Sequence, residues 1–515
     1  MVLAKTADYH AANPGKPHYT HSTRTGGREG ILKKSVTLDA NMKKLFNIIL
    51  VAVLATSLSN CREPLDSDSS FGQFSFASLE NAGVAVDGIY SNLPYYTTFG
   101  NYMIQMGDMR GDLLVACQGL YLSYSYNYDP TQNSYFELWR NFYNTIVRAN
   151  ACIKGIDALE VSADEQGIKD DYRGQAYAVR AFCYFNLARL YGRPYRFDQG
   201  ASLGAVLVTE PVSPSEARLP RSTVAETYDQ IESDLAVALP LLSKSKNTGH
   251  FNYWAARFLQ AKVALYKGDY ETAYSAAKDV INHGPYILIP RELYLASWAE
   301  VGNEESIFEG LVDFRSPIDG RNGLGGSFYY DLWFGDDDCG ASVVPTKHWR
   351  ELFKNTPNDI RIQWIDYDDP VTGKKHSGEY WLRKFIGNNG YNAFTNNPRY
   401  MRLAEAYLIA AEAGMVTGKG DAAHLLLQVA RRADPDVTEI AATMENIEIQ
   451  RQKELIGEGD RFFDLMRRNG SYVKNDPHNP FSKDLKWSDD KVMLPISADE
   501  MLVYPELQQN PGYRN

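Results

Sequence analysis

The 515-residue chain carries 53 Lys and Arg against 64 Asp and Glu, a net charge of −11 at pH 7. That balance argues against a nucleic-acid binder, which needs a basic face for phosphates. With 44% hydrophobic residues the composition is that of a globular chain with room for a large core and two or three domains. Tyrosine is abundant, 34 residues beside 8 Trp and 22 Phe. Such rings join an apolar face to a polar handle and suit interfaces and sugar sites. The five cysteines and nine histidines show no metal or redox spacing, so neither a metal nor a cofactor is expected. Cys117, Cys152 and Cys183 sit among apolar residues and are expected to be buried thiols.

In chain order, residues 1–41 are polar and aperiodic, and are expected to be disordered or untranslated. Met42 then opens an export signal over 42–60: Lys43 and Lys44, an apolar run from Leu45 to Ala55, and Leu58-Ser59-Asn60. The run is short for a membrane span, which favours a cleaved signal. Cys61 follows directly and resembles the lipid-acceptor cysteine of a bacterial lipobox, although Asn60 replaces the usual Gly, Ala or Ser. Residues 61–78 read as a polar tether.

A helix is expected at 79–90. Aromatic loops should follow, with Tyr95, Tyr96, Phe99 and Tyr102 before Gly107-Asp108-Met109-Arg110-Gly111-Asp112. Amphipathic spacing predicts helices over 134–157 and 166–191, and another over 223–239 with Ser222 as N-cap and Pro240 as its end. Residues 252–282 form a helix pair around Gly268-Asp269, with small residues facing large ones, in the manner of a tetratricopeptide repeat. A second pair spans 403–433 around Gly418 to Asp421. Between them lies a loop-rich insertion, about 285–398, holding Trp298, Trp333, Trp349, Trp364 and Trp381. Only 347–353 reads as helix there, with strand-like runs at 306–312 and 379–385. Asp336-Asp337-Asp338 lacks calcium-loop spacing and reads as a solvated acidic loop.

Near the end, 445–470 reads as a helix, a Gly457-Glu458-Gly459 break and a second helix with Arg467 and Arg468 in its last turn. Arg451, Glu454, Glu458, Arg461, Asp464 and Arg468 fall three or four residues apart. We read Arg451, Glu454, Glu458, Arg461 and Asp464 as a structural ion-pair lattice rather than a catalytic carboxylate set, because opposite charges at helical spacing account for the pattern.

The run Arg451, Glu454, Leu455, Glu458, Gly459, Arg461, Phe462, Phe463, Asp464, Leu465 resembles the signature of the SusD/RagB family of Bacteroidetes outer-membrane lipoproteins, with Gly457 in place of a large apolar residue. The resemblance extends to Cys61, Leu65 and Asp66, to Trp139, Tyr143, Ile146, Ala149 and Asn150, and to Asp359 with Arg361. It continues through Arg402, Glu405, Glu412 and Ala413, then Leu494-Pro495-Ile496 and Asn510-Pro511-Gly512-Tyr513. It covers about 61–515. It implies a mainly α, tetratricopeptide-like scaffold with a large irregular insertion: an N-terminal part 79–284, the insertion, and a C-terminal part 399–515. It implies no catalysis or cofactor, lipidation at Cys61, and an outer-membrane location facing the cell exterior. The implied partners are a glycan and a SusC-like TonB-dependent transporter. Ring stacking with hydroxyl partners on the rim would suit a glycan. We therefore expect the ligand at Trp333, Tyr329, Tyr330, Tyr95 and Tyr96, with Asp336 and Asn322 bonding hydroxyls. A surface glycan hydrolase and a repeat scaffold binding peptide or protein are the alternatives.

Overall fold

The computed structural model describes residues 76–116, 137–212, 218–312, 343–366, 381–382, 384–385, 396–470 and 485–513, with backbone alone at 96, 115, 116 and 381. Helix α1 (Leu79–Tyr90) starts where the Ser78 hydroxyl accepts the Asn81 N–H. Then come α2 (Glu137–Asp157), α3 (Gln166–Tyr191), α4 (Val224–Leu241), α5 (Tyr253–Lys267) and α6 (Tyr270–His283). After the insertion follow α7 (Leu403–Val416), α8 (Ala422–Ala433), α9 (Met444–Leu455) and α10 (Arg461–Arg467).

Each of α1 to α8 packs on the next in chain order, so the array is built like stacked tetratricopeptide pairs. The contact between α6 and α7 makes the two predicted pairs neighbours in space although the insertion separates them in sequence. Small side chains permit the close stacking: Ala273, Ala276 and Ala277 on α6, and Ala406, Ala410 and Ala413 on α7, are all fully buried. Gly268 ends α5 with φ +93°, a left-handed position that glycine adopts without penalty. Asp269 then caps α6 by accepting the Thr272 N–H.

The start of α4 differs from the expectation. Thr223, not Ser222, is the N-cap, because Glu226 lies three residues on and completes a reciprocal capping box. The helix also runs through Pro240 to Leu241; a proline in the last turn removes only one hydrogen bond.

One expectation for an irregular region is overturned. Residues 96–109 are not open loops but short helical turns, Tyr96–Gly100, Tyr102–Ile104 and Gln105–Met109, the first and last of them wide π-type turns. They form because Phe99 inserts among Phe142, Phe182 and Tyr400, with ring centroids 4.5–5.8 Å away. The insertion, too, has its own core. Trp298, Trp349 and Trp364 are buried with Tyr294, Leu382 and Phe385 in a second apolar cluster, which Ile104 and Ile456 join to the rest of the chain.

Among the described residues there are three two-stranded antiparallel pairs, and two of them tie this cluster down. β1 (Leu114–Ala116) pairs β3 (Val343–Pro345), and β4 (Ile365–Asp366) pairs β5 (Trp381–Leu382). β2 (Ser306–Glu309) pairs β6 (Arg399–Arg402), the strand that leads directly into α7. Cys152 and Cys183 are buried free thiols. Cys61, Cys117 and the whole 1–75 stretch lie outside the described residues.

Candidate ligand-binding site

The Gly457-Glu458-Gly459 break between α9 and α10 is where the chain's buried charges converge. Gly457 and Gly459 have φ of +80° and +84°. A Cβ on Gly107 would sit 1.7 Å from the Gly459 carbonyl oxygen, so two backbones touch there and only glycine fits. Next to that contact the buried Asp108 carboxylate accepts the N–H groups of Gly457 (2.6 Å) and Arg461 (3.0 Å). Burial pushes the Asp108 carboxyl up to about 7, against the lowering effect of these backbone donors.

Glu454 is fully buried. Its Oε1 accepts from Arg402 (2.7 Å), Arg432 (2.5 Å) and the Tyr294 hydroxyl (2.6 Å), and its Oε2 from Arg361 (3.1 Å). Burial alone would raise this carboxyl; the three guanidiniums prevail and hold it well below the usual carboxylate range. Glu458 bonds Arg402 (2.6 Å) and Lys384 (2.5 Å). Lys384 sits 4.4 and 4.5 Å from the ring centres of Trp298 and Trp364, and burial lowers its ammonium to about 8 against the pull of Glu458.

Arg451 bonds Asp464 (2.5 Å), which also holds Arg467 (2.8 Å). Arg461 reaches back to Asp112 (2.6 Å) and across to Glu448 (2.9 Å). The spacing argument named local partners, and these differ. Arg451 reaches Asp464 on α10 rather than Glu454 on its own helix, and Arg461 reaches Asp112 rather than Asp464. The side chains face inward, so their partners are whatever packs opposite. Arg361, Arg402 and Arg432 gave no local sign of this role.

Of the expected ligand residues, Trp333, Tyr329, Tyr330, Asp336 and Asn322 lie outside the described residues, as does the side chain of Tyr96. Tyr95 is 41% exposed on the surface. It directly follows Pro94, which lines a cleft of about 250 Å³ between α1, residues 249–250 and the β2–β6 pair. Leu93, Pro94, Phe308, Leu311 and Tyr400 form its apolar wall; Asp87, Ser91, His250 and the buried Glu309 are its polar members. His250 Nε2 lies 2.9 Å from Asp87 Oδ1, and the imidazole stands edge-on to Tyr90 at 4.5 Å. No motif in the sequence marked this cleft, because its members come from four distant stretches and share no spacing.

The stacked helix pairs and the ion-clamped second core define a mainly helical, tetratricopeptide-like scaffold. Residues 79–265 match a family model described as starch-binding, associating with outer membrane, and residues 347–513 match the SusD family. A SusD superfamily protein from Bacteroides vulgatus is 32% identical, with 85% of this chain and 100% of that one covered, and superposes with a TM-score of 0.75. A SusD-like protein of Formosa agariphila is 23% identical over 545 residues, covering 92% of this chain and 100% of that protein. The fold is shared with surface glycan-binding protein A from Bacteroides thetaiotaomicron in complex with laminarihexaose, at a TM-score of 0.66, 23% identity, and 84% and 99% coverage of the two chains. The chain belongs to the SusD/RagB family.

Proposed function

We propose that this protein is a surface lipoprotein of the outer membrane that captures a glycan and passes it to a SusC-like TonB-dependent transporter. Membership of a family whose matching model is described as starch-binding and outer-membrane-associated carries the reading. A protein of the same fold holds laminarihexaose, which supports a carbohydrate as the ligand class. The charge network supports capture over hydrolysis. A glycosidase needs one carboxyl poised to donate a proton and a second facing substrate. Glu454 and Glu458, the pair a hydrolase would draw on here, are buried and bonded to Arg and Lys, with both carboxyls lowered. In this reading the glycan meets Trp333, Tyr329, Tyr330, Tyr95 and Tyr96, Asp336 and Asn322 bond its hydroxyls, and Cys61 carries the lipid.

Isothermal titration of unlipidated protein against plant, algal and host polysaccharides tests capture. Trp333→Ala should cost on the order of 1–3 kcal/mol of binding if its ring stacks on the sugar. Equal affinity of the two proteins for a glycan that the wild type binds removes Trp333 from the site. Cys61→Ala should move the protein from the membrane to the soluble fraction, since the acyl chains supply the anchor. Unchanged fractionation and unchanged acyl labelling would exclude that anchor.

A further inference from the structure

The cleft beside Tyr95 has a feature that the scaffold does not explain. The Tyr400 hydroxyl is buried without a hydrogen-bond partner among the described residues. Such a group pays the desolvation of its O–H with nothing in return, so buried hydroxyls are nearly always paired. Its neighbours behave as expected: the Tyr90 hydroxyl, at the same cleft, donates to Gln175 (3.0 Å) and accepts the Phe251 N–H (3.0 Å). Tyr400 instead points its hydroxyl at Gly310, where a Cβ would approach it to 2.0 Å. Gly310 and Tyr400 both line the cleft. The hydroxyl therefore lies against the Gly310 backbone in the cleft's lining, where only glycine leaves room for it.

The rest of the cleft has two characters. One side is apolar, with Leu93, Pro94, Phe308 and Leu311; Leu311 is 50% exposed and stands at the mouth. The other side carries Asp87, Ser91 and His250; Glu309 also lines the cleft, but its carboxylate is already engaged by Ser306, Asn397, the Gly302 N–H and Arg399. Asp87 and Ser91 are exposed, and the His250 ring is fixed by Asp87 at 2.9 Å and by Tyr90. Phe308, 1% exposed, is the buried member of this apolar side. A guest must have an apolar face, hydroxyls at its edge and the bulk of a single ring, since about 250 Å³ lies at or below the lower limit of ordinary small-molecule sites.

We propose that this cleft is a subsite for one terminal pyranose ring of the glycan, held by Asp87 and His250 at its hydroxyl edge and by the Tyr400 hydroxyl at its inner end. The inference rests on the glycan-binding reading above. It adds that the protein grips a chain end here, apart from any stacking at Trp333. The Tyr400 hydroxyl is closed to water in the empty cleft, so the ring presses into the wall at Gly310 to reach it.

The full-length, unlipidated protein is titrated with methyl pyranosides of glucose, galactose and mannose and with laminarihexaose, using the wild type, Tyr400→Phe, Asp87→Asn and Trp333→Ala. Tyr400→Phe removes an unpaired hydroxyl, so its melting temperature stays level or rises, which separates binding from folding. Each of Tyr400→Phe and Asp87→Asn should weaken binding of the wild type's preferred sugar about ten-fold, the loss expected for one hydrogen bond to a ligand. Wild-type affinity in both variants, together with loss in Trp333→Ala, overturns the subsite and leaves the glycan reading standing. A wild type that binds none of the polysaccharides overturns both. Loss in Tyr400→Phe for the hexasaccharide but not for the same chain blocked at its terminal ring supports the end-on grip.

Discussion

Removing the Glu454 carboxylate should produce the largest single loss of stability on α9. The side chain is fully buried and its two oxygens take four donors, three guanidiniums and a phenol. In Glu454→Ala these donors stay in place with no acceptor. Arg361 still has Asp359 (2.7 Å), and Arg402 and Arg432 still share Glu305 (2.7 and 2.9 Å), so the charges are only partly stranded. Breaking one partner of a buried ion group costs about 3–5 kcal/mol, most of it from the charge left behind. In a chain this long that lowers the melting temperature by about 3–5 °C. Glu454→Gln keeps the shape but turns an NH2 toward a guanidinium, so it should recover little. The contrast is Glu137→Gln. Glu137 meets Arg140 at 3.6 Å with both side chains well exposed, and such a pair contributes below about 1 kcal/mol. Thermal and urea unfolding of the three variants decide the matter. A Glu454→Ala melting point within a degree of the wild type would refute the clamp.

Two further outcomes follow from the loop that Asp108 and Gly107 meet. The folded Asp108 carboxyl titrates near pH 7 instead of 3.8, so between those values the native protein holds a proton that the unfolded chain has released. Stability from this group is present below about pH 4 and falls as pH rises through 7. The melting temperature of Asp108→Asn should therefore gain on the wild type between pH 5 and 8, and parallel profiles would disprove the shift. Gly107→Ala must push the 105–109 turn away from Gly459, and should cost about 3 kcal/mol or more. Gly88→Ala, in α1 with open space around it, should instead be neutral or stabilise by about 0.5–1 kcal/mol, and urea midpoints compare the two.

The helices were legible in the sequence because their causes are local. The 3.6-residue rhythm of α2, the Asp269 cap and the Gly268 stop each act within a few residues, so spacing alone located them. The signature around Glu458 was legible as a pattern, and its two glycines foretold the close backbone approach. What opposed each charge was not. Glu454 lies 93 residues from Arg361 and 52 from Arg402, and no local rule joins them. The role of the insertion's tryptophans was hidden for the same reason. Composition marked 285–398 as loop-rich and tryptophan-rich, and no spacing showed that Trp298, Trp349 and Trp364 build a second core. Whether a ring faces solvent depends on what folds over it. The helix array came from periodicity that any short stretch carries. The clamp, the second core and the Tyr400 cleft came from packing across hundreds of residues, where burial turns an ordinary Arg, Trp or Tyr into a specific contact.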